Sequence, residues 1–414
     1  MEDETEIVVV GGGVIGCAIA WRLAAERRSV LVLERNDVGS AASSRAAGLI
    51  TPLRPSVAGN WFVRQTLDAF DQLSGILGEP VGFHRVGTVL VAASPDSERQ
   101  LLAMTEAAVS GGPSYDWLDR MEAERRLPWL SASTVRRIAW VPEGGYIDPY
   151  LLTQAYGRAA RAAGARIRTR VSASRLIVED GRVRGVDTDQ GRVACRNVVL
   201  AAGAWAGPLA SAIGVPLGMA PVRSHYWITA SNPLFDADQP VTLLPDAASY
   251  VRPEHDRLVI GAREGRSPSY DARSLPDDAG ALPLGSEEER WIGLIERRDA
   301  LLTFLPSLDE LEMVHFIAGL SAYTPDGQQL IGPAPGVAGL YVAAGCCGMG
   351  IATSAGIARL IADMIAGRTP PVDPRPYRLD RFGAFDPYQP EFLERCAQSR
   401  TAKSGAGSGA AHRG

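Results

Sequence analysis

The chain has 414 residues, of which 46% are hydrophobic and 21% are charged, and its formal net charge is −5. This length accommodates two domains with substantial cores, and an acidic balance without long Lys/Arg blocks excludes nucleic acid as the main partner. We expect no membrane span and, because the start of the chain is acidic and five cysteines show no metal-ligand spacing, a cytoplasmic location.

The first element in chain order is a predicted strand that runs into a glycine-rich turn. Residues 6–16 read EIVVVGGGVIG, and a second strand at residues 30–34 ends in the acid Glu34. Gly11 permits a tight turn, Gly13 lets the backbone approach a pyrophosphate, and Gly16 lets the helix pack on the strand. An ordinary glycine turn in a βαβ unit is the alternative. The order of strand, turn, helix, strand and acid favours a dinucleotide-binding fingerprint.

Further along the chain, nucleotide-binding and antiparallel patterns alternate. After a small polar loop at 40–60, we predict a helix at 61–77, a strand at 84–93, a turn-rich segment at 139–148, a helix at 150–163, strands at 166–169, 173–179, 182–188 and 193–200, alternating sheet at 221–263, a helix at 286–304, a strand at 339–345 and a helix at 351–365.

This pattern predicts an α/β protein whose Rossmann-type domain is assembled from discontinuous segments, with an α+β substrate domain inserted as an antiparallel sheet. The predicted boundaries are 1–83, 149–220 and 313–370 for the first domain, and 84–148 and 221–312 for the second. Residues 371–414 form a C-terminal extension, in which the Ser/Gly/Ala-rich residues 399–414 are predicted to be disordered.

Eight segments in order resemble the D-amino-acid oxidase superfamily of FAD enzymes. They are GGGVIG, SSRAAGLITP, GFHRVGTVLVA, YIDPYLLTQAYGRAARAAGARI, VVLAAGAWAGPLA, SYVRPEHDRLVIGAREG, AGLSAYTPDGQQLIG and GLYVAAGCCGMGIATSAGIARLIADMI. Within the superfamily the chain is most similar to the glycine-oxidase-like branch of dimethylglycine dehydrogenase, sarcosine dehydrogenase and the sarcosine oxidase β-subunit. The resemblance implies FAD as the cofactor.

The same resemblance implies where FAD would lie. Val171 would hold the adenine through its backbone, and the loop at 348–351 would cap the pyrimidine end, where a helix N-terminus stabilises a reduced flavin. The full predicted cofactor set is Gly11, Gly13, Val14, Ile15, Gly16, Glu34, Arg35, Ser43, Ser44, Arg45, Ala47, Gly48, Leu49, Val171, Ala202, Gly203, Trp205, Gly348, Met349, Gly350 and Ile351.

Two departures from the family concern how the flavin is held. Relatives with covalent flavin use a His or a Cys at positions that correspond to Arg45 and Ser321 here. Neither residue forms such a link, and we therefore predict non-covalent FAD.

The next candidates are the residues that would contact the substrate. Tyr250 is the first candidate, because relatives place a substrate-facing Tyr in this segment; a sheet-face Tyr bonded to backbone is the alternative. His225 is balanced against a core or solvent His, because its spacing fits Ser224 better and a one-residue shift reverses the face of a strand. The carboxylate-binding residues of relatives are missing, which leaves Arg54, Arg252 and Arg263 as candidate clamps.

The resemblance implies hydride transfer from a C–N bond of an amine or N-methyl amino acid to flavin N5, followed by hydrolysis of the imine. Alternatives are a catalytic FAD subunit that passes electrons to a partner, a tailoring oxidase for a larger amine, and a flavin-binding protein without turnover. O2 or a partner carrier would accept the electrons, and the oligomeric state is left open.

Overall fold

The computed structural model describes residues 3–282 and 284–403. Local signals set several helix boundaries: α2 begins after Ser56, whose hydroxyl accepts a hydrogen bond from the Gly59 N–H, and ends at left-handed Gly78. The helices in this part of the chain are α1 (Val14–Ala25), α2 (Val57–Leu77), α3 (Pro95–Val109), α4 (Arg120–Arg126), α5 (Pro149–Ala162), α6 (Ala206–Ser211), α7 (Ile292–Leu302), α8 (Gly350–Ile365) and α9 (Pro390–Thr401).

The strands form three sheets. In chain order they are β1 (Asp3–Val10), β2 (Val30–Leu33), β3 (Leu49–Ile50), β4 (Phe83–His84), β5 (Thr88–Ala92), β6 (Asp116–Trp117), β7 (Arg137–Val141), β8 (Gly145–Ile147), β9 (Arg166–Arg168), β10 (Ala173–Glu179), β11 (Arg182–Thr188), β12 (Gly191–Leu200), β13 (Ala220–Thr229), β14 (Val241–Leu244), β15 (Ser249–Glu254), β16 (Arg257–Ala262), β17 (Met313–Tyr323), β18 (Leu330–Pro333) and β19 (Leu340–Ala344).

The first sheet has a parallel centre in the order β9-β2-β1-β12-β19, to which β18 and the β10–β11 hairpin add antiparallel edges. The four residues of β2, VLVL, are all apolar and buried, as expected for a strand covered on both faces. Helices α1, α2, α5 and α8 pack together on one face of this sheet and share one hydrophobic core with it. The α/β, Rossmann-type fold predicted from the sequence is confirmed.

The second sheet has the order β17-β13-β16-β15-β14-β5-β7-β6 and is antiparallel except for the β14–β5 pair. This is the inserted antiparallel sheet that the sequence predicts. A small third sheet has the order β3-β8-β4. Along the chain, its strands lie between the strands of the first two sheets.

Several local predictions need correction. The predicted turn-rich segment 139–148 contains β8 and the end of β7, and the helix predicted from 286 begins at Ile292. β17 pairs with β13 in the second sheet, whereas the predicted boundary at 313 gave it to the first domain. Disorder is wrong for residues 399–401, which belong to α9; residues 404–414 lie outside the described part of the chain.

Candidate functional site

The N-terminus of α1 offers free backbone donors at the C-terminal edge of the first sheet. Gly13 is the N-cap and carries no side-chain cap, so only Ser43 assists, its hydroxyl accepting from the Val14 N–H at 3.0 Å. Within residues 3–282 and 284–403, the N–H groups of Ile15 and Gly16 have no hydrogen-bond partner. Two unsatisfied N–H groups and the positive end of a helix dipole fit a pyrophosphate.

The glycines of this turn are required by close backbone approaches. Gly11 has φ +109°, and a Cβ there would lie 2.5 Å from the Ala201 carbonyl oxygen. A Cβ at Gly16 would lie 1.9 Å from the Gly11 carbonyl oxygen. At Gly203, beside Ala202, a Cβ would meet no atom within 4 Å. The turn therefore packs tightly on β12 and leaves open space beyond it, as a bound dinucleotide requires.

Glu34 ends β2 beside this turn. Its Oε2 accepts from the Gly12 N–H at 2.6 Å and its Oε1 from the Asn36 N–H at 2.8 Å, so the carboxylate is fixed at the position predicted for ribose binding. The Val171 N–H donates to the Glu34 carbonyl at 3.0 Å. The Val171 backbone, predicted to hold the adenine, therefore has its N–H engaged and only its carbonyl left for the base.

Three of the predicted cofactor residues fix neighbouring segments. Arg35 pairs with Asp277 at 2.6 Å and lies 4.9 Å from the Trp205 ring, while the Trp205 indole N–H donates to the Pro276 carbonyl at 3.1 Å. Both side chains thus tie residues 276–277 to the segments that follow β2 and β12. The hydroxyl of Ser44 bonds within its own loop, to the Ser40 and Ala41 carbonyls.

A second helix N-terminus meets the first at the loop before α8. Gly348 has φ +67° and donates its N–H to the Ser321 hydroxyl at 3.1 Å, and Met349 caps α8 without a side-chain hydrogen bond. A Cβ at Gly350 would lie 3.4 Å from Ile15 Cδ1 of α1. Ile351, predicted with this loop, lies in the first turn of α8. The loop therefore places a positive dipole end where the resemblance puts the flavin pyrimidine.

The segment at 47–49 connects the two large sheets. Gly48 has φ +73°, and a Cβ there would lie 2.0 Å from the Ile147 carbonyl oxygen; Leu49 begins β3. The Ala47 carbonyl accepts from Arg252 Nε at 2.6 Å. Arg45, in the preceding turn, donates to the Ser40 carbonyl at 2.8 Å. The contacts of this segment are thus made largely by its backbone, which the resemblance places along the flavin edge.

The register of the second sheet decides which side chains face the first. Tyr250 pairs with Gly261 and Arg252 with Val259, which in turn pairs with Ile228 of β13. Because directly paired residues share a face, Tyr250, Arg252, Tyr226 and Ser224 lie on one face. Ser321 and Tyr323 of β17 pair with Val222 and Ala220 and lie on that face too. We call it the inner face.

His225 lies on the opposite face. Its ring contacts Trp227 and Phe316, and a Cβ at Gly293 of α7 would lie 3.0 Å from its Nε2. The side chain is buried, and burial lowers the pKa of His225 to about 4 despite Glu264, whose carboxylate raises it. The structure therefore favours the core alternative for His225, and Ser224 occupies the inner face.

The Tyr250 ring packs over Gly261, which leaves room for the ring because it has no side chain. A Cβ at Gly261 would lie 2.1 Å from the Tyr250 Cζ. Burial raises the pKa of the Tyr250 phenol well above its usual value. The hydroxyl has no hydrogen-bond partner in the described ranges, so it is a neutral donor and acceptor available to a ligand.

The three candidate arginines differ in their partners. Arg252 is fully engaged: it bonds Ala47, donates to the Pro253 carbonyl, pairs with Glu254 at 2.6 Å and stacks on Tyr146. It is a structural link rather than a free clamp.

Arg54 and Arg263 remain without an acidic partner among the described residues. Arg54 contacts Thr51 Oγ1 at 3.2 Å and Met349 Sδ at 2.7 Å, and burial lowers its pKa. The Nε of Arg263 is buried without a partner, and burial lowers the pKa of Arg263 to about 10. Tyr250 and Tyr323 are close enough to act on its charge. Arg54 thus borders the loop before α8 and Arg263 lies near Tyr250, and both cations suit an anionic ligand.

Sequence reasoning missed two residues of this site. The role of Gly261 can be inferred only from its pairing with Tyr250 in the sheet. Lys403, at the end of α9, donates from Nζ to the Cys347 carbonyl at 2.5 Å, whereas the sequence predicts disorder there. The sequence signal that could have found Lys403 is the composition, because Lys403 is the only lysine of the chain.

The family model described as FAD dependent oxidoreductase matches residues 6–364. The chain belongs to this family. The glycines and the two helix N-termini fit FAD, and the family match confirms the predicted cofactor.

Several known proteins are similar to this family member. The 4-methylaminobutanoate oxidase (formaldehyde-forming) of Paenarthrobacter nicotinovorans is 30% identical over 91% of this chain and 45% of its own length. Mitochondrial dimethylglycine dehydrogenase of Rattus norvegicus is 27% identical over 93% of this chain and 45% of its own length. The chain thus spans about half the length of these curated relatives.

Similar solved structures are covered almost completely. Glycine oxidase from Geobacillus kaustophilus has a TM-score of 0.75 and 26% identity, over 92% of this chain and 99% of that one. L-proline dehydrogenase from P. horikoshii has a TM-score of 0.80 over the same shares, and its 24% identity shows the fold alone. In residues 3–282 and 284–403, no helix is long and apolar enough to cross a membrane.

Proposed function

We propose that this chain oxidises a C–N bond of a small amine that carries a carboxylate, such as an N-methyl amino acid. The carrying observation is that Arg54, which contacts Met349, and Arg263, which lies close to Tyr250 and its free hydroxyl, lack acidic partners among the described residues. Cations held out of water favour an anion, and a planar guanidinium suits a carboxylate. The inner face therefore supplies the substrate side of the site.

The names of the relatives support this substrate class. 4-Methylaminobutanoate, dimethylglycine and glycine are each an amine with a carboxylate, and the first relative is described as formaldehyde-forming. Formaldehyde is the product expected when the oxidised C–N bond belongs to an N-methyl group. An N-methyl amino acid is consequently the first substrate to test.

The chain's own residues would bind and orient. Arg54 and Arg263 would hold the carboxylate, and the Tyr250 hydroxyl, kept protonated by its raised pKa, would donate to a carboxylate oxygen or accept from the amine. Bound FAD would supply the two-electron acceptor. Burial on the inner face would exclude water and select the neutral amine, and the N-terminus of α8 would favour negative charge beside it.

We also propose that FAD is held without a covalent bond. The side chain of Arg45 bonds its own loop, and the Ser321 hydroxyl accepts from Gly348. Denaturation of the purified protein should release all yellow colour to the supernatant. Colour retained in the precipitate would contradict this, and the thiol of Cys346, 3.7 Å from Ser321 Oγ, would then be the attachment site to examine.

A second candidate is a catalytic subunit that passes electrons to a partner protein. The observation that favours it is an apolar surface around α7, where Trp291, Ile292, Ile295 and Val314 are exposed beside a cavity of about 250 Å³. Reoxidation of the reduced protein distinguishes the two, because an oxidase recovers its colour rapidly in air and a subunit of this kind does so slowly.

The test is anaerobic mixing of the FAD-loaded protein with sarcosine, dimethylglycine, 4-methylaminobutanoate, glycine, D-alanine, L-proline and simple N-methylamines. We expect loss of oxidised-flavin absorbance with a carboxylate-bearing amine, and formaldehyde release with an N-methyl substrate. Bleaching by amines without a carboxylate, or by none of the panel, would contradict the proposal. The cytoplasmic location and the role of a catalytic subunit in a larger assembly are further proposals.

A further inference from the structure

The chain's only lysine lies in the candidate active site. The other cationic side chains, within a total of 42 Lys and Arg, are all arginine. Lys403 is half-buried at the end of α9 and donates from Nζ to the Cys347 carbonyl at 2.5 Å. A Cβ at Gly348 would lie 3.1 Å from that Nζ. The ammonium thus borders the loop where Met349 meets Arg54.

The position of Lys403 is fixed by the packing of α9. Phe392, Cys396 and Ala397 share a buried cluster with Tyr323 and Cys347, so the helix rests on β13, β17 and the loop before α8. This apolar contact brings the end of the helix to the site.

A buried ion pair anchors the last turn. Arg400 is 3% exposed, donates to Glu264 at 2.8 Å and to Ser267 at 2.5 Å, and reaches Ser224 at 3.2 Å. Breaking a buried pair of this kind is costly, which holds Lys403 three residues later in place.

Lys403, Arg54 and Arg263 form a cluster of three cations, which we call the cation cluster. Arg54 and Lys403 both contact the segment 347–349, and Arg263 lies near Tyr323, whose hydroxyl would be 2.6 Å from a Cβ at Gly348. In the described part of the chain, no Asp or Glu pairs with any of the three.

The charge state of Lys403 responds to this setting. Burial first, then the charges of Arg54 and Arg263, lower the pKa of Lys403 to about 7, against the thiols of Cys347 and Cys346, which raise it. An arginine keeps its charge under the same conditions, whereas a lysine gains its proton when an anion arrives.

We propose that Lys403 is a substrate-specificity residue, and that the cation cluster selects an amine with two carboxylates over one with a single carboxylate. One carboxylate and the negative charge of a reduced flavin would leave one cation of the cluster uncompensated. A second carboxylate on the substrate would neutralise this remaining positive charge, and Lys403 is the cation that it would contact. This inference rests on the proposed function for the reaction, but its binding site can be tested without turnover.

The test uses glutarate and its monocarboxylate counterpart pentanoate as probes for the FAD-loaded protein. Perturbation of the flavin absorbance gives Kd for each probe near pH 6, where Lys403 is protonated. We expect glutarate to bind at least about tenfold more tightly than pentanoate, K403M to lose this advantage, and K403R to keep most of it. Equal affinity for the two probes, binding of neither, or an undiminished advantage in K403M would overturn the proposal.

A second measurement reports on Lys403 itself. Because Lys403 is the only lysine, reductive methylation with ¹³C-formaldehyde labels Lys403 and the α-amino group and no other amine of the protein. The NMR signal of the labelled Lys403 can then be titrated with pH. We expect a pKa near 7 that rises when glutarate binds. A signal that glutarate does not move would overturn the contact. The amine panel judges the proposed function separately, so the two fail independently.

Discussion

The two halves of the candidate site are built from different material. The FAD half consists of backbone: the glycine turn, the N-terminus of α1 and the N-terminus of α8. The substrate half consists of side chains from distant parts of the chain: Arg54 and Lys403 contact the loop before α8, and Arg263 lies near Tyr250. A backbone site depends on a few neighbouring residues, whereas a side-chain site depends on strand register and on long-range packing.

The largest expected effect comes from the backbone half. Gly16→Ala places a Cβ 1.9 Å from the Gly11 carbonyl oxygen, and the turn cannot hold both atoms. We expect the purified variant to carry little or no FAD, with affinity reduced about 100-fold or more. The ratio of flavin to protein absorbance measures this.

Gly75→Ala is the matched control for that change. Gly75 lies in α2, and a Cβ there meets no atom within 4 Å, so flavin content should be unchanged and stability should rise by up to about 1 kcal/mol. Normal flavin content in Gly16→Ala would contradict the assignment of the turn.

The next effect separates the two faces of the second sheet. Tyr250→Phe removes one hydroxyl from the inner face and should lower kcat/KM about 10- to 100-fold with unchanged FAD content. His225→Gln changes the opposite face and should leave kcat/KM of the folded protein within about twofold. Steady-state kinetics on both variants, at equal flavin content, compares them.

An equal loss in the His225 variant would mean that the faces are assigned wrongly. Gly261→Ala offers an independent check, since its Cβ displaces the Tyr250 ring, from which it would lie 2.1 Å. It should reproduce most of the effect of Tyr250→Phe on kcat/KM.

The third effect is a pH dependence of stability. The folded protein holds His225 with a pKa of about 4, below its ordinary value of 6.5, so the unfolded chain binds more protons between these values. The stability from neutral His225 is present above pH 6.5 and is lost as pH falls toward 4, by up to about 3 kcal/mol. Urea unfolding across this range should show a flatter slope in His225→Gln, and identical slopes would refute the assignment.

The smallest effect concerns the link between the sheets. Arg252→Lys keeps a positive charge but loses the Nε bond to the Ala47 carbonyl, and should cost about 1 kcal/mol, a shift of a few degrees in Tm. Arg257→Lys, at the start of β16 in the same hairpin, should leave Tm unchanged, because its acidic partner among the described residues, Asp256, is 4.0 Å away. Equal melting temperatures for all three proteins would show that Arg252 does not stabilise the contact.

The sequence predicted the backbone half well because its signals are local. The strands at 173–179 and 182–188 agree with the structure residue for residue, and α8 begins one residue before its predicted start. Glycine spacing and apolar runs carry such information within one segment.

The substrate half could be predicted only in part. Tyr250 was found from the resemblance, but the sequence could not choose between Ser224 and His225, because a strand residue's face depends on a register that only its partners fix. Lys403 was missed because a Ser/Gly/Ala-rich tail predicts disorder, whereas apolar residues earlier in α9 pack it against the sheet. The composition singles out Lys403 as the only lysine, but the local sequence pattern around it gives no such indication.

The measurement that tests the central claim most directly compares a matched pair of amines. Sarcosine and N-methylethylamine share the secondary amine and differ by the carboxylate, and each is mixed anaerobically with the FAD-loaded protein. If the unpartnered Arg54 and Arg263 bind a substrate carboxylate, the flavin should be reduced by the acid at least about 100-fold faster than by its carboxylate-free counterpart. Equal rates of reduction would show that the cations do not read the substrate and would contradict the account.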